Sequence, residues 1–377
     1  MIITDVEALL LRQPGALDTT IADGSQDALI VRVTTDTGIA GIGEVDSNPT
    51  VIKSIVEAPP SHKTACGLRS LLIGEDPADI PRLWQRMYRG SLYYGRRGAA
   101  VHAISGIDIA LWDIAGQVAG KPIHALLGGS RRDRVRAYAS TLMPEKPADV
   151  GRIVEEQVEN GFRAVKLGWG PLGQDADLDV ALVAAARAAL GAEHDLMLDI
   201  GKGWAGQDDA IDRANRMADF RPYWIEEPFM PDDYPSYRAL SEATATPLAA
   251  GEEESTLLDF ERLIDSGGVT VVQPDVTRAG GITETMRIAE MAFKRGKRPV
   301  LHAWSTGIIK AASLHVLAAL DQAEYFEYCV QTTELNQRLV AEKFPVVDGY
   351  VEIPQRPGLG IELDTEVLEL CLVREAR

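Results

Sequence analysis

The chain has 377 residues, 46% of them hydrophobic and 25% charged, which is room for a large core and more than one domain. Its formal net charge of −18 argues against nucleic acid and anionic membranes as partners, because both are bound through basic patches; an anionic substrate would need a local cation. No apolar run approaches a membrane span, the acidic start with Asp5 and Glu7 is unlike a secretory signal, and Cys66, Cys329 and Cys371 are odd in number without metal-like spacing, so a cytoplasmic protein with structural thiols is expected.

Residues 1 to about 50 read as strands. ALIVRVTT and IAGIGEV flank Asp36-Thr37-Gly38, a good hairpin turn. The segment before them, PGALDTTIADGSQD, is polar and glycine-bearing and reads as a mobile loop. From about 75 to 127 the pattern turns helical: AVHAISGIDIALWDIAGQVAG carries apolar residues at helical spacing until Lys121-Pro122 ends it. From about 134, strands and helices alternate, starting with VRAYAST and separated by stretches such as DLDVALVAAARAAL and ITETMRIAEMAFKRG. Alternation of this kind implies a parallel sheet with right-handed crossovers. Counting YFEYCV, the apolar runs reach eight, which closes a barrel. An open doubly wound sheet is the rival, but it would bind its ligand at one or two loops rather than at every strand end. Beyond about 330, VDGYVEIPQRPGLGIEL reads as a short strand and a Pro/Gly-rich return. The expected fold is α/β: a (β/α)8-type barrel over 131–330, an N-terminal α+β capping domain over 1–130, and a C-terminal segment, 331–377, packing back on the cap.

Seven charged residues each end a short apolar run: Lys166, Asp199, Glu226, Glu252, Asp275, His302 and Glu327. They recur roughly every 25 residues, the period of one strand–helix unit, and in such a barrel the C-terminal strand ends form the active face. Asp199, Glu226 and Glu252 end three consecutive strands, so their carboxylates should converge. Two charges about 4 Å apart repel by roughly 4 kcal/mol at an effective dielectric near 20. Three of them need a cation or raised pKa values, and an open, hard oxygen site suits Mg2+. Glu227 and Glu253 follow directly, and strand alternation should turn them to the other face. Asp275 and His302 end adjacent strands, and a carboxylate there would fix the imidazole tautomer and raise its basicity. Lys166 would contact a substrate carboxylate, act as a base or form a structural ion pair. Glu327 would hydrogen-bond a substrate oxygen if protonated, or else partner Lys166. Together these groups suit proton abstraction next to a carboxylate, with charge gathering on two enediolate oxygens.

An ordered set of motifs then resembles the enolase superfamily, in its mandelate racemase-like branch, over nearly the whole chain: AISGIDIALWDIAGQVAGKPIHALLGG, the lysine of the second barrel strand, WIEEP, AAGE, QPDVTRAGGIT, PVLHAW and PGLGIEL. The resemblance implies that Asp199, Glu226 and Glu252 hold one Mg2+, that His302 is the general acid/base oriented by Asp275, and that Glu327 lies beside a substrate carboxylate oxygen. It also implies a small carboxylate substrate, a homo-oligomer, and a cap whose loops set specificity. Two departures matter. The family often has Lys-x-Lys on the second strand, but here the run is Lys166-Leu167-Gly168; and Asp199, often followed by Ala-Asn, is followed by Ile200-Gly201 and then Lys202, with Lys202 or Trp204 as candidates to replace the lost polar contact. With one convincing base, dehydration of a sugar acid is favoured over two-base racemisation. A cycloisomerase, with a ring oxygen as leaving group, is equally compatible; an epimerase using another base and a non-catalytic barrel relative are the remaining readings.

Overall fold

Alternating apolar side chains make the first 45 residues into an antiparallel sheet of three strands in sequence order, β1 (Ile3–Arg12), β2 (Asp27–Thr35) and β3 (Ala40–Val45). The structure, a computed structural model, describes residues 1–15 and 17–374. The hairpin at Asp36-Thr37-Gly38 joins β2 to β3, with Gly38 at φ 81°. Helix Ala99–Ala119 lies across this sheet. Its contact is close because β3 offers glycine: a Cβ at Gly41 or Gly43 would sit about 2 Å from the carbonyl oxygens of Ala110 and Gly106. Val6, Leu29, Val31, Ile104, Ile107 and Leu111 fill the space between. This helix corrects one expectation, since its length and hydropathy do reach those of a membrane span. It carries Asp108 and Asp113, both buried against protein, and 78% of its most apolar window is covered. A short helix, Pro49–Glu57, also precedes the expected helical region; Asn48 caps it and Pro49 opens it.

The second sheet is parallel and curled. Its eight parallel strands are β4 (Arg134–Leu142), β5 (Ala164–Gly168), β6 (Asp195–Asp199), β7 (Trp224–Glu226), β8 (Leu248–Ala250), β9 (Val271–Val272), β10 (Arg298–Pro299) and β11 (Tyr325–Cys329). The hydrogen-bonded order runs β10-β9-β8-β7-β6-β5-β4-β11, so the rival open doubly wound sheet is set aside. At the seam Ala303 N–H, just past β10, donates to Glu327 on β11 at 2.8 Å. Seven strands give one residue each to a layer inside the barrel, Tyr138, Ala164, Met197, Trp224, Ala249, Val271 and Tyr325, and Val300, just past β10, gives the eighth. Side chains two residues apart share a strand face, and this layer therefore sets the next one. Above Tyr138 comes Ser140, above Ala164 Lys166, above Met197 Asp199, above Trp224 Glu226, above Val300 His302, and above Tyr325 Glu327.

Two buried acids tie the N-terminal elements to the barrel. Glu44 on β3 accepts from Thr306 Oγ1 (2.7 Å) and Ile309 N–H (2.9 Å) at the start of helix Gly307–Ala319. Asp108 accepts from Thr283 N–H (2.9 Å) and Oγ1 (2.6 Å) at the start of helix Gly281–Lys294. Both carboxylates meet otherwise unpaired amides at positive helix ends. Burial nevertheless pushes the pKa of each up to about 7. A strand from the chain's last part, β12 (Tyr350–Glu352), pairs antiparallel with β4. Further on, Leu372 bridges Leu11 of β1, and Val373 N–H donates to Leu10 O at 2.9 Å.

Candidate active site

A cavity of about 350 Å3 opens at the C-terminal ends of the barrel strands. It is lined by Lys166, Asp199, Glu252 and His302 of the expected series, and Glu226, Asp275 and Glu327 lie directly behind them. The structure thus brings all seven residues together.

Asp199, Glu226 and Glu252 each place an oxygen within 4.8 Å of the others, and all three are buried. Burial, then the neighbouring Glu226 carboxylate, pushes Asp199 up to about 8. Glu226 is raised for the same first reason, with Lys166 working against it. Glu252, although buried, is held below the usual carboxylate range by His302 and Arg278. A close triad of oxygen donors, two of which resist ionising beside the third, is the chemistry of a hard divalent site. The residues present fit Mg2+. Glu226 is held on both oxygens: Lys166 Nζ lies 2.5 Å from Oε1, and Trp224 Nε1–H, one layer down on the same strand, donates to Oε2 at 2.8 Å.

Lys166 also meets Glu327 Oε1 at 2.8 Å and Asp199 Oδ2 at 3.7 Å. Burial alone would lower its pKa, but Glu226 and Glu327 outweigh burial and hold it well above the usual lysine value. These two carboxylates favour its cationic form. Glu327, opposed by burial but held by Lys166 and His302, drops to about 2. Of its two expected roles, hydrogen-bonding acid or charge partner, the geometry selects the second.

His302 Nδ1 and Asp275 Oδ2 are 2.6 Å apart. The other oxygen of Asp275 accepts from Thr277 N–H and Oγ1, both at 2.6 Å, so the carboxylate cannot rotate away. Nδ1 then carries the hydrogen, and Nε2 faces Glu252 Oε2 at 3.3 Å and Glu327 Oε2 at 3.9 Å. Burial lowers the ring's pKa, but Glu252, Glu327 and Asp275 together raise it to about 10. Glu252 is the largest of these charges, so pairing it with a cation returns the ring toward the neutral form that a base requires.

Glu227 and Glu253 differ from expectation. Both place an oxygen within 4.8 Å of Glu252, and Glu253 lines the cavity. Strand alternation fails because β7 and β8 have ended: Glu227 has φ 40° and Gly251 φ 138°. Lys202 bridges this second acid pair, at 3.1 Å from Glu227 and 2.6 Å from Glu253, and lies 4.1 Å over the Trp169 ring. Of the two candidates to replace the missing asparagine, Lys202 reaches the rim of the acid cluster, whereas Trp204 is buried with an unpartnered indole N–H.

Both sequence departures have steric causes. A Cβ at Gly168 would stand 2.5 Å from the Asp199 Cβ, and one at Gly201 would stand 2.7 Å from the Trp169 ring. Gly168 and Gly201 are therefore what this packing permits, and position 168 lines the cavity without a side chain.

Four contributors escaped the sequence reading. Ser140 on β4 presents a buried hydroxyl with no partner to the cavity; a search for charges is blind to it. Arg278 spans the gap to the N-terminal elements, binding Asp46 Oδ2 at 2.7 Å, Asp46 O at 3.1 Å and Glu252 O at 3.1 Å. It lies three residues past Asp275, which was a usable signal. Asp46 gave none, because its place depends on how the first 50 residues seat on the barrel; Asp23, which meets Trp304 at the roof, lies in a cap loop expected to set specificity, though no single residue of that loop stood out.

Comparison with known proteins agrees with this geometry. Residues 6–128 match the family model of the mandelate racemase / muconate lactonizing enzyme N-terminal domain, and residues 149–367 match that of the enolase C-terminal domain-like family. Among curated proteins, D-galactarolactone cycloisomerase of Agrobacterium fabrum is 33% identical over 352 residues, covering 90% of each chain. D-galactonate dehydratase of Ralstonia nicotianae is 35% identical over 351 residues, 89% of this chain and 88% of that one. Among solved structures, the 3,6-anhydro-D-galactonate cycloisomerase from Zobellia galactanivorans superimposes with TM-score 0.90 at 32% identity, over 99% of this chain and 100% of its own. A racemase from Streptomyces coelicolor A3(2), solved with bound magnesium, gives 0.87 at 32% identity, over 99% and 100%.

Proposed function

The chain belongs to the mandelate racemase / muconate lactonizing enzyme family of the enolase superfamily, and from that premise we propose that it is a Mg2+-dependent lyase acting on a sugar acid. Asp199, Glu226 and Glu252 would hold the metal. When bound, Mg2+ lowers the cost of the negative charge that builds on the substrate carboxylate as its α-proton leaves. Lys166, fixed between Glu226 and Glu327, supplies a second cation to that charge. Ser140 offers its unpartnered hydroxyl on the same side.

His302 Nε2 takes the α-proton. Asp275 keeps Nδ1 protonated and stabilises the imidazolium that forms. The same imidazolium then gives its proton to the β-hydroxyl. The C–O bond breaks, the electron pair of the enediolate closes a C=C bond, and water departs. The remaining enol tautomerises to a 2-keto-3-deoxy acid. One base suffices for this sequence because one proton is taken and then returned from one group.

The observation that carries the reading is the single His302–Asp275 dyad, together with a glycine at 168, where a Cβ has no room beside Asp199. Inverting a stereocentre would need a second base on the other face of the substrate. Cycloisomerisation is the second reading, favoured by the names of two similar proteins; there the dyad would protonate a ring oxygen instead of a hydroxyl. A panel of sugar acids, incubated with enzyme and Mg2+ and assayed for 2-keto acid, separates the two. Keto acid formation supports dehydration, and an isomer of unchanged mass that lacks the keto group would replace it with cycloisomerisation.

A further inference from the structure

Resting on that reading, we infer that the substrate is a monocarboxylate whose far end is a neutral polyol or sugar ring, and that the roof of the cavity excludes sugar diacids. Besides His302, two cationic side chains line the cavity, and both already have anionic or carbonyl partners. Lys166 is enclosed by Glu226, Glu327 and Asp199. Arg278 spends its three nitrogens on Asp46, its carbonyl oxygen and the Glu252 carbonyl. A substrate has one cationic end, at Lys166.

Part of the remaining lining is acidic and aromatic. It consists of Ala22, Asp23 and Gly24 from the loop between β1 and β2, with Trp304, Trp169 and Glu253. Asp23 Oδ1 accepts from Trp304 Nε1–H at 3.1 Å and from Ser25 N–H at 2.9 Å. Among the described residues, no cation lies within ion-pairing distance of the Asp23 carboxylate, whereas Glu253 is balanced by Lys202. The loop over 13–26 contains Asp18 and Asp23 and no lysine, arginine or histidine. A second substrate carboxylate would meet the Asp23 charge there with nothing to offset it. A hydroxyl would donate to the same carboxylate, and sugar C–H faces would rest on the two indoles.

The test measures binding in the presence of Mg2+, by calorimetry, of aldonates and of the diacids with matching stereochemistry, alongside the keto acid assay. Wild type is expected to bind an aldonate at least about tenfold more tightly than its diacid. Asp23→Asn, which keeps the contacts to Ser25 and Trp304, is expected to narrow that ratio severalfold by improving diacid binding. Asp23→Arg is expected to reverse it. Equal or tighter diacid binding by wild type overturns the inference, as does a ratio unmoved in both variants, or failure of any aldonate to bind. Keto acid formation is read separately: tight aldonate binding without it would retire the proposed reaction and leave the roof's selectivity standing.

Discussion

Adding one methyl group at position 168 should damage the metal site. In Gly168→Ala the new Cβ would stand 2.5 Å from the Asp199 Cβ, against an ordinary contact of 3.4 Å or more. The pair must part by about 0.9 Å, on adjacent strands whose register is fixed by Gly168 pairing with Asp199. Overpacking of a close-packed interior costs about 1–3 kcal/mol. Metal–ligand distances tolerate only about 0.2 Å of error, so a shift of this size removes Asp199 as an effective ligand. The expected result is a Tm lowered by several degrees and Mg2+ affinity reduced by at least about tenfold, read by thermal unfolding and calorimetry. A Gly168→Ala variant with wild-type stability and wild-type Mg2+ affinity would refute the steric account of why no second base stands on this strand.

Other substitutions probe separate contacts. Trp224→Phe removes the indole N–H from Glu226 and should weaken Mg2+ binding about 10–100-fold; Met197→Leu, in the same barrel layer but without a bond to Glu226, should leave it unchanged. Asp275→Asn should lower kcat about 10²–10⁴-fold with little change in substrate binding, measured by steady-state kinetics against calorimetry. Glu44 links pH to stability. Burial raises its pKa from 4.5 to about 7, so the folded state binds the extra proton between those values. Its contribution is fully present below about pH 4.5 and lost by about pH 7, roughly 3 kcal/mol in all. Glu44→Gln should therefore flatten the fall in Tm between pH 4.5 and 7, and an unchanged slope would contradict the assignment.

What was legible in the sequence follows from how local each signal is. Strand-end charges were readable because period-2 alternation inside a barrel forces Lys166, Asp199, Glu226, His302 and Glu327 onto the layer above the apolar one. The convergence of those groups then followed from the barrel alone. Glu227 and Glu253 were misread where the rule stops, at residues whose backbone leaves the strand. Helix Ala99–Ala119 looked amphipathic and proved apolar nearly all round, because it is covered by a sheet on one side and the barrel on the other. Asp46, Asp23 and Trp304 depend on the seating of one sheet on another. No local pattern encodes that seating, and these residues line or brace the roof of the cavity.

The central claim is that His302 alone removes the α-proton. It is tested most directly by proton NMR in D2O with Mg2+ and an accepted sugar acid, comparing wild type with His302→Asn. Wild type is expected to consume the α-hydrogen signal as product forms. The variant, which still binds substrate and metal, is expected to leave that signal intact with no exchange for deuterium. Loss of the α-hydrogen signal in His302→Asn would show that another group is the base.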